Sequence, residues 1–107
     1  MTKSIACSAA LLALSVFAVA HAADGADSGR QLFVKGATPA CAICHTLADA
    51  GSTGAVGPSL DELKPDVQRV AKAVKAGLGA MPPYPQLSDE QVLALSRYVA
   101  RASGGGQ

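Results

Sequence analysis

Apolar positions along this chain fall into four stretches with different periods. Ile5 to Ala20 is a run of apolar or small residues with no polar stripe. Further on, Gly29, Leu32 and Phe33 form one face of a short helix from Gly29 to about Lys35. Val67, Val70, Ala71 and Val74 follow an i, i+3, i+4, i+7 stripe, with Arg69, Lys72 and Lys75 on or near the outer face. Pro65 is suited to be the first residue of this second helix and Gly77 to stop it. Val92, Leu95, Tyr98 and Val99 make the inner face of a third helix, opened by Ser88, with Gln91 completing a capping-box pattern.

Between these stretches the punctuation is dense. Gly36 to Pro39 breaks the first helix, and Thr46 to Pro58 carries Gly51, Gly54 and Gly57 in an irregular loop. In Gly79-Ala80-Met81-Pro82-Pro83-Tyr84-Pro85, three prolines remove donors and fix the backbone, so the segment is not helical. No strand pattern, repeat or second domain is visible. The expectation is one all-α domain of three to four short helices, with loose ends at 23–28 and 103–107. Ser28 is expected near the cap of the first helix.

The first apolar run has a different use. Met1-Thr2-Lys3 is a minimal positive start, and Ala20-His21-Ala22 is a small-x-small cleavage site ahead of Ala23. A membrane anchor is the competing reading of a run this long. Its Ala and Ser content and the cleavage site favour a secretory signal peptide over residues 1–22, removed after Ala22 or, alternatively, after Ala20. Export to the periplasm follows, and Cys7 leaves with the leader. The mature chain, 23–107, keeps Cys41 and Cys44 as its cysteines.

That mature chain is small for a self-sufficient apolar core. It has no Trp and three aromatic residues, Phe33, Tyr84 and Tyr98. Without Lys3 it carries eight Lys and Arg against eight Asp and Glu. No polybasic footprint for nucleic acid or for an anionic membrane is present.

Cys41-Ala42-Ile43-Cys44-His45 supplies the chemistry. Two thiols three positions apart, followed at once by an imidazole, are the attachment pattern of a c-type haem. The sulfurs add to the two vinyl groups of one haem edge, and His45 becomes the proximal iron ligand. A redox dithiol wants an alternating strand–helix fold, and a zinc site wants two more Cys or His ligands. With cleavage after Ala22, His45 is the single histidine left, so neither competes well. Haem iron of this kind takes a thioether, a second imidazole or an open sixth position. Met81 is the single thioether of the mature chain and sits in the proline-fixed loop, although a methionine is also a common core filler. The Pro58 carbonyl is the candidate acceptor for the outer N–H of His45. Gly57-Pro58 alone reads equally well as a turn.

Taken together, these motifs resemble a small bacterial class I cytochrome c over essentially the whole mature chain. Gly29 and Phe33 match the family's first helix, and Leu95 and Tyr98 match the last helix that crosses it. Gly57-Pro58-x-Leu60 matches the segment whose proline carbonyl holds the proximal histidine, and Gly79-Ala80-Met81-Pro82 matches the distal loop. The absence of Trp and the short stretch from His45 to Met81 depart from some members. The short stretch implies a trimmed lower loop and a more exposed haem edge.

The resemblance implies a fold wrapped around one haem c, bound through Cys41 and Cys44 with Pro58 behind His45, and His45 and Met81 as metal ligands. It implies a soluble periplasmic one-electron carrier rather than an enzyme. Its redox donor and acceptor would dock transiently at the haem edge, near Ala40, Ala42, Ile43, Ala80, Pro82, Pro83 and Tyr84. No nucleic acid partner, and no membrane after cleavage, is expected. The chain is a monomer in this reading. Two others stand beside it: a tightly bound cytochrome subunit of a periplasmic dehydrogenase, for example one oxidising a sulfur compound, and an open-site haem sensor or peroxidase.

Overall fold

A computed structural model describes residues 21–106, together with Thr2 and Ala13. The expected leader therefore lies almost wholly outside the described residues. Helix α1, His21–Gln31, runs on into a π-helical turn, Leu32–Gly36. This corrects the expectation of a loose segment at 23–28, which is helical. Ser28 is not a cap but bonds back to the Gly25 carbonyl at 3.3 Å inside the helix. Alanine is the strongest helix former, and α1 carries it at 22, 23 and 26.

Helix α1 crosses the terminal helix α5, Asp89–Ser103, at Gly29. A Cβ built there would run into the Ala94 carbonyl and come within 2.6 Å of Tyr98 Cβ. Only a residue without a side chain lets the two backbones approach this closely. Phe33 then meets Tyr98 edge-on, with ring centroids 6.2 Å apart. Helix α5 has the capping box read from Ser88 and Gln91, with both reciprocal bonds formed at 3.1 and 2.9 Å. Its inner face buries Val92, Leu95, Tyr98 and Val99, as the period predicts.

The C-terminus is also more ordered than its glycines suggest. Gly104 takes a left-handed φ of 84° and ends α5. Gly105 N–H bonds to the Ala100 carbonyl at 2.7 Å and Gly104 N–H to that of Arg101 at 3.3 Å, the paired bonds of a Schellman ending. Gly105 lies directly on the Pro65 carbonyl. Residues 103–105 are thus docked, not frayed.

Three further helices complete the fold: α2, Cys41–Cys44; α3, Leu60–Leu63; and α4, Val67–Ala76. Helix α4 starts two residues later than Pro65. Asp66 is the cap, its carboxylate accepting Arg69 N–H at 2.8 Å, which leaves Pro65 outside. The loop after α2 contains a short antiparallel pair, β1 (Thr46–Leu47) with β2 (Ser52–Thr53). Two-residue strands leave no alternating pattern to read. Leu32, Phe33, Cys41, Leu47, Leu60, Val74, Tyr84, Val92, Leu95, Tyr98 and Val99 form one continuous core. Among the described residues, no helix is long and apolar enough to cross a membrane.

Candidate haem site

The site starts from a single helical turn. Helix α2 holds Cys41 and Cys44 at its two ends, three positions apart and so on neighbouring parts of one face. Neither is in a disulfide. Cys41 is buried, and burial pushes its thiol up to about 11. His45 leaves the helix in extended conformation, its N–H still bonded to the Cys41 carbonyl at 3.0 Å.

Two contacts then fix the ring. Nδ1 of His45 lies 2.8 Å from the Pro58 carbonyl oxygen, so Nδ1 carries the proton and Nε2 keeps its lone pair. Gly57 lies flat against the ring: a Cβ there would sit 2.6 Å from His45 Cε1 and 2.9 Å from Nδ1. Gly57 N–H is itself bonded to the Cys44 carbonyl at 2.7 Å. Behind them, the buried Ser52 hydroxyl donates to the His45 carbonyl at 2.9 Å and accepts from Leu47 N–H at 3.0 Å. Gly57 was legible as half of a Gly-Pro turn but not as the shelf under the ring. Ser52 gave no signal, because its role depends on the β1–β2 pairing.

Met81 sits on a tight turn between α4 and α5. Leu78 and Met81 exchange both backbone bonds, at 3.0 and 2.9 Å, and Gly79 takes a left-handed φ of 57° between them. The Met81 side chain is half-buried and packs against the core cluster that contains Cys41. Tyr84, which the sequence reading set among the docking residues, is instead buried, 5% exposed. Its Oη donates to the Pro39 carbonyl at 2.8 Å. Burial, with the nearby Cys41 and Cys44 thiols, raises its pKa. On the opposite side of the core, Tyr98 Oη donates to Asp49 Oδ2 at 2.7 Å. Burial and that carboxylate hold its pKa well above the usual phenol range.

The large apolar side chains left most exposed include Ile43 at 65%, Val56 at 80% and Leu78 at 70%. Of the sequence-assigned docking residues, Ile43, Ala80, Pro82 and Pro83 are exposed, and Ala40 and Ala42 are half-buried. Among the described residues no three His, Cys, Asp or Glu side chains converge as a metal cluster.

The donor set fits a haem c. Two unpaired thiols stand one turn apart, an imidazole beside them offers Nε2, and a glycine leaves its ring room.

The comparisons with known proteins agree with this chemistry. Residues 24–99 match the family described as cytochrome C oxidase, cbb3-type, subunit III. The crystal structure of the c-type cytochrome SorU from Sinorhizobium meliloti is 47% identical, with a TM-score of 0.75, covering 79% of this chain and 98% of that one. No curated protein matches the chain. With a haem-attachment turn, an all-α fold and a family match over most of its length, the chain belongs to the c-type cytochromes of this family, a small class I cytochrome c that carries covalently bound haem and transfers electrons.

Proposed function

We propose that the chain is a periplasmic one-electron carrier, with haem c attached through Cys41 and Cys44 and ligated by His45 and Met81. When bound, haem c supplies a one-electron change of iron oxidation state. The chain's own residues do the rest. His45 keeps one tautomer because its Nδ1–H donates to the Pro58 carbonyl, which also raises the basicity of Nε2. Met81 offers a thioether, which favours ferrous iron over what a second imidazole would give. The observation that carries the reading is the closed Leu78–Met81 turn, which holds Met81 half-buried against the core cluster that contains Cys41.

Visible spectra of oxidised and reduced protein, with Met81→Ala alongside, test it. Low-spin iron in the wild type, a thioether-to-iron band lost in Met81→Ala, and carbon monoxide binding gained only by the variant are expected. High-spin, ligand-accessible iron in the wild type would support the open-site reading instead.

Docking of a redox partner fits the apolar collar. Ile43 lies between the two cysteines, Val56 two residues before Pro58, and Leu78 three before Met81, so each borders a haem-binding segment in sequence, and all three are exposed. None is charged, which suits a small transient contact with redox donor and acceptor proteins. A second reading, tight association as an enzyme subunit, is favoured by the family's description as a subunit of an oxidase. A monomer on gel filtration supports the free carrier, and a salt-resistant copurifying partner supports the subunit.

Residues 1–22 remain proposed as the export leader. Mass spectrometry of the mature protein should find Ala23 at the N-terminus, or His21 if cleavage falls after Ala20.

A further inference from the structure

Met81 is followed by Pro82, Pro83 and Tyr84. Each proline fixes its own φ and confines the residue before it to extended conformations. The step from Met81 to Tyr84 is therefore stiff, and whatever anchors Tyr84 also places Met81. Tyr84 is anchored from several directions. Its N–H donates to the Val74 carbonyl at 2.9 Å, in the last turn of α4. Its carbonyl accepts from Leu87 N–H at 3.2 Å. Its buried phenol reaches across to the Pro39 carbonyl at 2.8 Å, two residues before Cys41. Gln86 repeats the crossing one residue earlier, Nε2 donating to the Thr38 carbonyl at 3.2 Å. The segment carrying Met81 is thus strapped to the segment that leads into the attachment turn.

We propose that Tyr84 is a positioning residue for the distal ligand: its bond to Pro39, supported by Gln86, sets how readily Met81 leaves the iron. The proposal rests on the reading of Met81 as that ligand. The phenol touches no reacting atom. It acts through Pro82 and Pro83, holding the sulfur at the distance set by the attachment turn. Without the phenol's bond, the Leu78–Met81 turn and the Tyr84 backbone bonds to Val74 and Leu87 still hold the loop, but its excursions away from the core become more frequent. Losing one neutral hydrogen bond of this kind changes such a population by roughly five- to tenfold.

The test uses the holoprotein with Tyr84→Phe, which keeps the ring and its packing. Two readouts are followed in the oxidised state: the thioether-to-iron band as pH is raised, and the rate of imidazole binding. In Tyr84→Phe the band should disappear about one pH unit lower, and imidazole should bind about tenfold faster. Gln86→Ala, an exposed change, should move both readouts the same way by less. Ser96→Ala, a buried change on α5 remote in sequence from the strap, controls for loss of stability and should leave imidazole binding unaltered.

Unchanged pH midpoint and binding rate in Tyr84→Phe, with the band present in the wild type, would overturn the proposal alone. A wild type without the band would overturn the ligand reading and the proposal with it. Should Tyr84→Phe yield no holoprotein, Gln86→Ala decides: faster imidazole binding supports the strap, and an unchanged rate removes it.

Discussion

Gly57 lies against the face of His45 so closely that a single added methyl group would overlap the imidazole, 2.6 Å from Cε1. The neighbouring residue, Pro58, offers the carbonyl that accepts the hydrogen bond from Nδ1–H. One dipeptide thus supplies both the room for the ring and the bond that orients it. Gly57→Ala should tilt the imidazole, at a cost of about 1–3 kcal/mol for overpacking. Pro58→Ala keeps a carbonyl at the same place and should be milder. Holoprotein yield and reduction potential check the order: Gly57→Ala falls on both, and Pro58→Ala stays near the wild type.

Tyr98 supplies a prediction about alkaline stability. Its phenol is buried and donates to Asp49, and its pKa in the fold lies above the unfolded value. The folded state then holds a proton that the unfolded chain releases above its phenol pKa of about 10. Stability is complete below that pH and declines as pH rises through it, with a slope of up to about 1.4 kcal/mol per pH unit. Urea unfolding of the holoprotein from pH 8 upward should show this decline. Tyr98→Phe should be about 1–3 kcal/mol less stable at neutral pH, because Asp49 loses its donor, and should lack the phenol's share of the alkaline slope.

How far the sequence carried can be judged from these same residues. The inner face of α5 and its capping box were legible, since a 3.6-residue stripe and a Ser-x-x-Gln opening are local patterns. The start of α4 was misplaced because Pro65 and Asp66 are both acceptable openings, and only the Asp66 bond to Arg69 N–H separates them. The 23–28 segment looked like a loose end from its small and acidic residues, while its helix packs on α5 through Gly29, a tertiary contact that no local pattern reports. At the site, the thiols, His45, Pro58 and Met81 belong to short motifs that chemistry makes readable. Ser52 and Tyr84 do not. Each acts on a carbonyl brought near by the fold, at the His45 and Pro39 oxygens respectively.

Lys64 ends α3 with a φ of 48°, the one non-glycine residue with positive φ among those described. A side chain there pays roughly 1–2 kcal/mol of steric cost. Lys64→Gly relieves it but loosens the unfolded chain, which takes back up to about 1 kcal/mol. A net gain of about 0.5–1 kcal/mol is expected, read as a higher urea midpoint with an unchanged slope. Lys64 is exposed and lies outside the haem-binding motifs, so the reduction potential should not move.

The apolar collar makes a prediction that needs no physiological partner. Electron self-exchange between oxidised and reduced copies brings two identical haem edges together, and line broadening in proton NMR measures its rate. With the exposed Ile43, Val56 and Leu78 as the proposed uncharged docking surface, and eight positive against eight negative residues in the chain from Ala23, the wild-type rate should change little with salt. Leu78→Lys sets like charges face to face across that symmetric contact. At low ionic strength the rate should then fall by about tenfold, and it should recover as salt shortens the Debye length to about 3 Å near 1 M. Leu78→Ala removes apolar area without charge, so its smaller loss should not recover with salt. A Leu78→Lys rate equal to that of the wild type at every ionic strength would place electron exchange at another face of the molecule.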